Sequence, residues 1–109
     1  MIDFDIMAGI ARVEDAVKAR RQAGPGAHVR GLDEVDCMAT RTLFSRYVDV
    51  VLWSGEVDRD TYRAVRKALI MGRDAVAGGD PKIVDAVTKR VAEFEKFSAK
   101  HRVGAAVAA

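Results

Sequence analysis

Glycines divide the chain into four segments, and this division constrains the fold more than any other feature of the sequence. Between the glycines, apolar residues recur at intervals of three and four, which is the spacing of one face of an α-helix. We therefore predict an all-α protein with four helices. The breaks lie at Gly24-Pro25-Gly26 with Gly31, at Gly55, and at Gly78-Gly79.

The predicted helices span about residues 4–22, 34–54, 59–77 and 81–101. Two of the connections between them are short, so neighbouring helices are expected to run antiparallel in a small four-helix bundle-like domain. The connection between the first and second helices is longer, about ten residues, and leaves the exact topology open.

The size of the chain fits one domain and leaves no room for two, since it has 109 residues. Half of them are apolar and 31% are charged, which is the balance of a globular protein with a core. We expect residues 1–102 to form this single helical domain. The Ala-rich residues 103–109 are expected to form a flexible tail.

Aspartates mark three of the predicted helix starts. Asp33 is the expected N-cap of the second helix, where Asp36 three residues later resembles a capping box with a shorter acid. Asp58 is the expected N-cap of the third helix. Asp80 is the expected N-cap of the fourth helix, with Pro81 at the first helical position, where an N–H would have no partner within the helix.

The second helix is the most apolar of the four, and a narrow polar line runs along one side of it. Such a helix is expected to be central and to contact several neighbours or another subunit. Residues 47–53 are also rich in β-branched and aromatic side chains and fit a buried strand, although no partner strand is evident. The polar line consists of Glu34, Arg41, Ser45 and Asp49.

The overall charge does not identify a partner, because 18 basic and 16 acidic residues give a net charge of +2. Cys37 is the single cysteine, so no internal disulfide is predicted, and we interpret it as a small buried hydrophobe. The N-terminus lacks the pattern of a signal peptide, and no apolar stretch approaches the roughly 20 residues that span a bilayer. We expect a cytoplasmic protein that does not bind a membrane.

No arrangement of residues typical of catalysis or metal binding is present in the sequence. The only histidines, His28 and His101, lie far apart, and neither they nor Cys37 occur at the spacing of a metal site or a Cys/His nucleophile. We therefore predict a protein without enzymatic activity, metal or cofactor. An enzyme or small-ligand carrier with an unrecognised site between helices stays an alternative.

One basic stripe stands out, on the third helix: Arg59, Arg63, Arg66 and Arg73, flanked by Lys67. It fits a solvated helix face, but it also fits a surface that binds phosphates or an acidic protein. The second alternative function is thus a DNA-binding regulator of the helix-turn-helix type that uses this helix. Acidic residues at the start of the helix have the wrong sign for that role.

The function that we predict is a helical protein-interaction module. Trp53, at the end of the second helix, is the candidate anchor for a partner, together with Phe4 or Phe97. Self-association into a homodimer would bury the excess apolar surface of that helix. Small size and plain composition also fit a small accessory or inhibitor protein of the kind that mobile elements and phages encode.

Overall fold

The computed structural model describes residues 3–23 and 30–101, and these form four α-helices and no strand. The helices are α1 (Phe4–Gln22), α2 (Arg30–Ser54), α3 (Arg59–Val76) and α4 (Pro81–Lys100). The predicted all-α, bundle-like fold is therefore confirmed. The glycine-rich connection after α1 and the predicted tail lie outside the described residues.

Three helices begin at an aspartate that caps them. The side chain of Asp58 accepts a hydrogen bond of 2.7 Å from the backbone N–H of Thr61, and Asp80 caps α4 with Pro81 in its first turn. These two caps are as predicted from the sequence. Asp3 caps α1 in the same way. Each cap satisfies backbone donors that the first helical turn leaves unpaired.

The start of α2 differs from the prediction. The helix begins at Arg30, so Asp33 lies within its first turn and is not the N-cap, and Asp36 is not part of a capping box. Asp33 and Asp36 are instead buried. Asp33 forms an ion pair with Arg20 near the end of α1, and this tertiary contact replaces the local cap that the sequence predicted.

The far end of α2 is helical throughout, so the strand considered for residues 47–53 is wrong. Gly55 ends the helix with a φ of 78°, a left-handed conformation that glycine adopts without steric strain.

Neighbouring helices run antiparallel. The Arg20–Asp33 pair joins the end of α1 to the start of α2, and Tyr62 near the start of α3 donates a hydrogen bond to Glu95 near the end of α4. α2 and α3 pack on each other, and both α1 and α4 pack on this pair. The most apolar helix thus contacts all three others, as expected.

Aliphatic side chains make up most of the core, and they surround a contact between two aromatic rings. The ring of Tyr47 on α2 lies 4.8 Å from that of Phe94 on α4, and its hydroxyl shares a 2.7 Å hydrogen bond with Ser98. Burial of the hydroxyl is therefore compensated. None of the described helices has the length and apolarity needed to cross a membrane.

Candidate interaction surface

All the large apolar side chains that are exposed within the described residues lie on α1 and α2. This is unusual because the four helices have comparable lengths and α3 and α4 carry polar outer surfaces. We call this surface the α1–α2 face. It consists of Phe4, Met7, Val35, Met38, Leu52 and Trp53.

Trp53 is the most exposed member of the α1–α2 face, with 93% of its surface accessible. It lines a shallow depression of about 560 Å³ with Leu52, Val50 and Asp3, where the end of α2 meets the start of α1. Packing within the monomer does not account for a tryptophan at this position, since the side chain buries almost no area there. Of the two further aromatics predicted as anchors, Phe97 packs against the core, whereas Phe4 is exposed on α1.

A second depression, of about 430 Å³, lies towards the other end of the α1–α2 face. Small side chains line part of it, including Ala16 and Ala19 of α1 and Ala39 of α2. Val35 and Met38 also line it, together with the charged Arg12 and Asp15. The face therefore carries a protruding aromatic residue at one end and a groove at the other.

The predicted basic stripe lies on the opposite side of the protein, on α3, and part of it is engaged. Arg66 pairs with Glu95 of α4 at 2.6 Å, and Arg73 pairs with its neighbour Asp74 at 3.3 Å. These exposed pairs contribute little to stability but reduce the local positive field. The remaining members of the stripe are exposed to solvent: Arg59, Arg63 and Lys67.

A buried polar cluster lies at the end of the bundle where α1 ends and α2 begins. The Nε of Arg20 and the Oδ1 of Asp33 are 2.8 Å apart, with both side chains almost completely buried. Arg90 of α4 donates hydrogen bonds to the carbonyl of Cys37 and, at 2.8 Å, to the hydroxyl of Thr40. The ion pair thus connects α1 to α2, and the hydrogen bonds of Arg90 connect α4 to α2.

Asp36 lies on α2 between these two sets of contacts and has a different environment. Its side chain is fully buried, and neither carboxylate oxygen has a hydrogen-bond partner among the residues described. Burial, reinforced by the negative charge of Asp33 and opposed by Arg20, raises the pKa of Asp36 to about 7. Because the side chain is fully buried, the raised pKa bears directly on the stability of the fold.

Cys37 is half-buried rather than fully buried as predicted, and its sulfur lies 3.7 Å from Arg90. His101 packs on Phe97, with ring centroids 4.3 Å apart. His28 lies outside the described residues. Within residues 3–23 and 30–101, no three histidine, cysteine or acidic side chains lie close enough together to hold a metal ion.

No model of a protein family, no curated protein and no solved structure matches this chain. Its function must therefore be inferred from its own residues, and the α1–α2 face is the surface with the strongest claim to one.

Sequence reasoning singled out Trp53 and Phe4 but missed the other members of this face. Val35 belongs to the apolar side of α2, which was expected to contact neighbouring helices or another subunit, and it is 55% exposed. The exposure of Met38 and Leu52 could have been found, since both lie on the side of the helix that carries the predicted polar line.

Proposed function

We propose that this protein is a non-catalytic helical interaction module that forms a homodimer through the α1–α2 face. The observation that carries the proposal is the segregation of exposed large apolar side chains onto α1 and α2, with Trp53 almost fully exposed at one end. Exposed apolar side chains that are concentrated on one part of a protein are a mark of interaction sites, and tryptophan is among the residues most enriched at their energetic centres.

A second copy of the chain is the partner that we favour. On α2 the α1–α2 face extends from Val35 to Trp53, about 27 Å along the helix. Two adjacent helices are together roughly 20 Å wide, so the face would bury on the order of 550 Å² per subunit, or about 1,100 Å² in total, which clears the roughly 1,000 Å² expected of a specific interface. It also carries both a protruding residue and a groove, so that one surface can complement itself, as a two-fold interface requires.

The packing of α2 and α3 supports this function over the DNA-binding alternative. Gly72 of α3 lies against Thr40 of α2, although each is about 20 Å along its helix from the connecting turn. Helices that still touch at that distance form an antiparallel hairpin. In a helix-turn-helix they diverge at about 90–120°.

The cytoplasmic location is part of the same proposal, because the single cysteine allows no internal disulfide and the function requires none. So is the role of a small accessory or inhibitor protein, in which the dimer would present its remaining surface to another protein.

Sedimentation velocity between low and high micromolar concentration tests the proposal. We expect the native protein to move from monomer to dimer, and Trp53→Ala to weaken dimerisation by at least about tenfold, as for a typical interface anchor. Arg63→Ala, which also shortens a long exposed side chain but on α3, is the matched control and should dimerise normally.

A native protein that stays monomeric throughout, or equal weakening by Trp53→Ala and Arg63→Ala, would contradict the proposal. Random duplex DNA added at low salt extends the experiment to the regulator alternative. A complex that dissociates with salt and is lost in Arg63→Ala would favour that alternative instead.

A further inference from the structure

The solvent-facing side of α2 has an internal symmetry. Five exposed residues follow one another at intervals of three, four, four and three, which places them on one line along the helix. The order of side chains on this line is apolar, basic, small, acidic, apolar. We call it the α2 outer stripe, and it consists of Met38, Arg41, Ser45, Asp49 and Leu52.

From this stripe we infer the geometry of the homodimer: α2 pairs antiparallel with α2 of a second copy, about a two-fold axis that passes at Ser45. The inference rests on the proposed function, since the stripe runs along α2 beside the α1–α2 face and shares Met38 and Leu52 with it. Residues at equal distances on either side of Ser45 then meet across the interface. Arg41 faces Asp49 of the partner subunit, and Met38 faces Leu52 of the partner subunit.

Charge decides between this arrangement and a parallel one. A parallel two-fold pairing sets each residue opposite its own copy, so that Arg41 would meet a second arginine and Asp49 a second aspartate. Like charges in an interface are unfavourable, whereas the antiparallel arrangement forms two opposite-charge pairs. Arg41 and Asp49 are both exposed and pair with none of the other described residues, so their charges are available for these contacts.

The small size of Ser45 at the centre of the stripe and the position of Trp53 at its end also support the antiparallel pairing. Ser45 at the axis is small enough to let two helices approach closely. Trp53 follows Leu52 on the side of the stripe that faces α1, where it lines a depression with Asp3. The two-fold operation brings it opposite the depression of about 430 Å³ between α1 and α2 of the partner subunit, whose lining includes alanines.

Charge reversal tests the antiparallel register. We expect Arg41→Asp and Asp49→Arg each to raise the dimer dissociation constant by about fivefold or more, because each sets two pairs of like charges across the axis. The double variant Arg41→Asp/Asp49→Arg exchanges the charges and should dimerise to within about threefold of the native protein. Circular dichroism of each variant checks that these exposed substitutions leave the fold intact.

Disulfide formation under mild oxidation gives a second readout that does not depend on affinity. In a Cys37→Ser background, a mixture of Met38→Cys and Leu52→Cys proteins should form the mixed disulfide-linked dimer. Leu52→Cys alone should not, since the two copies of position 52 would be about 20 Å apart and a disulfide requires Cα atoms within about 7 Å.

The outcomes separate the two proposals. Rescue in the double variant together with the mixed disulfide supports the register. A dimer that Trp53→Ala weakens but that shows neither rescue nor the mixed disulfide, or in which Leu52→Cys links to itself, overturns the register and leaves the proposed function standing. A native protein that is monomeric at all concentrations overturns both.

Discussion

Gly72 on α3 lies in direct contact with Thr40 on α2. A Cβ atom at position 72 would lie 2.5 Å from the Cγ2 of Thr40. Thr40 cannot swing this methyl group away without loss, because its hydroxyl donates to the carbonyl of Cys37 and accepts from Arg90. The absence of a side chain at position 72 is therefore what lets the two helices pack.

We expect Gly72→Ala to lower the free energy of unfolding by about 1–3 kcal/mol, the range typical of overpacking a core, although alanine is the better helix former. Urea denaturation followed by circular dichroism measures the change. Gly31→Ala is the matched control, because a Cβ there has nothing within 4 Å. It should be neutral or stabilising by up to about 1 kcal/mol, and equal effects of the two substitutions would contradict the packing described here.

Asp36 makes stability depend on pH in an uncommon direction. Its pKa is raised from 3.8 to about 7, so the folded protein holds a proton that the unfolded chain has already released in this range. The contribution of Asp36 to stability is therefore complete at low pH and is lost as the pH rises from about 4 to about 7.

Asp36→Asn removes this loss. At pH 8 we expect it to be more stable than the native protein, by up to about 4 kcal/mol less the penalty of an unpaired buried amide. The advantage should shrink steadily as the pH falls towards 4. Asp33→Asn is the comparison: it breaks the buried pair with Arg20 and should destabilise the protein at neutral pH, although it also removes one of the charges that raise the pKa of Asp36. Native and Asp36→Asn melting temperatures that stay parallel from pH 4 to 8 would show that Asp36 does not titrate in this way.

Asp58 has the opposite dependence. Hydrogen bonds from Thr61 lower its pKa, so the stability that its charge provides is present at neutral pH and is lost as the pH falls through the lowered pKa. We expect Asp58→Ala to lower the melting temperature at pH 7, with a difference from the native protein that narrows in acid.

Asp60→Ala is the comparison for the cap. Asp60 lies in the same first helical turn but does not cap the helix, so its replacement should have the smaller effect. Thermal melts of both variants at pH 7 and pH 3 make the measurement, and an equal loss for Asp58→Ala and Asp60→Ala would argue against the cap.

The fold could be predicted from the sequence because its signals are local. Apolar spacing, glycine breaks and the caps at Asp58 and Asp80 depend on residues a few positions apart, and they identify four helices without tertiary information. Gly72 gives a further local signal, since a glycine inside a helix destabilises it unless close packing requires one.

The roles of Asp33 and Asp36 could not be predicted, because they depend on contacts that are distant in sequence. An aspartate before an apolar stretch is typical of an N-cap, and only the approach of Arg20 on α1 turns Asp33 into a buried ion-pair partner. The α1–α2 face was missed for a related reason. Periodicity identifies an apolar side of a helix, but not which apolar side chains the neighbouring helices leave uncovered.

Fluorescence of Trp53 measured over a dilution series tests self-association through the α1–α2 face most directly, because it is the only tryptophan in the chain. It is 93% exposed in the monomer, so the dilute protein should show the emission of water-exposed indole and strong quenching by iodide. We expect the emission to shift to the blue and the quenching to fall as concentration rises through the dimer dissociation constant measured by sedimentation. A dimer in which Trp53 stays as exposed as in the monomer would contradict the proposed interface.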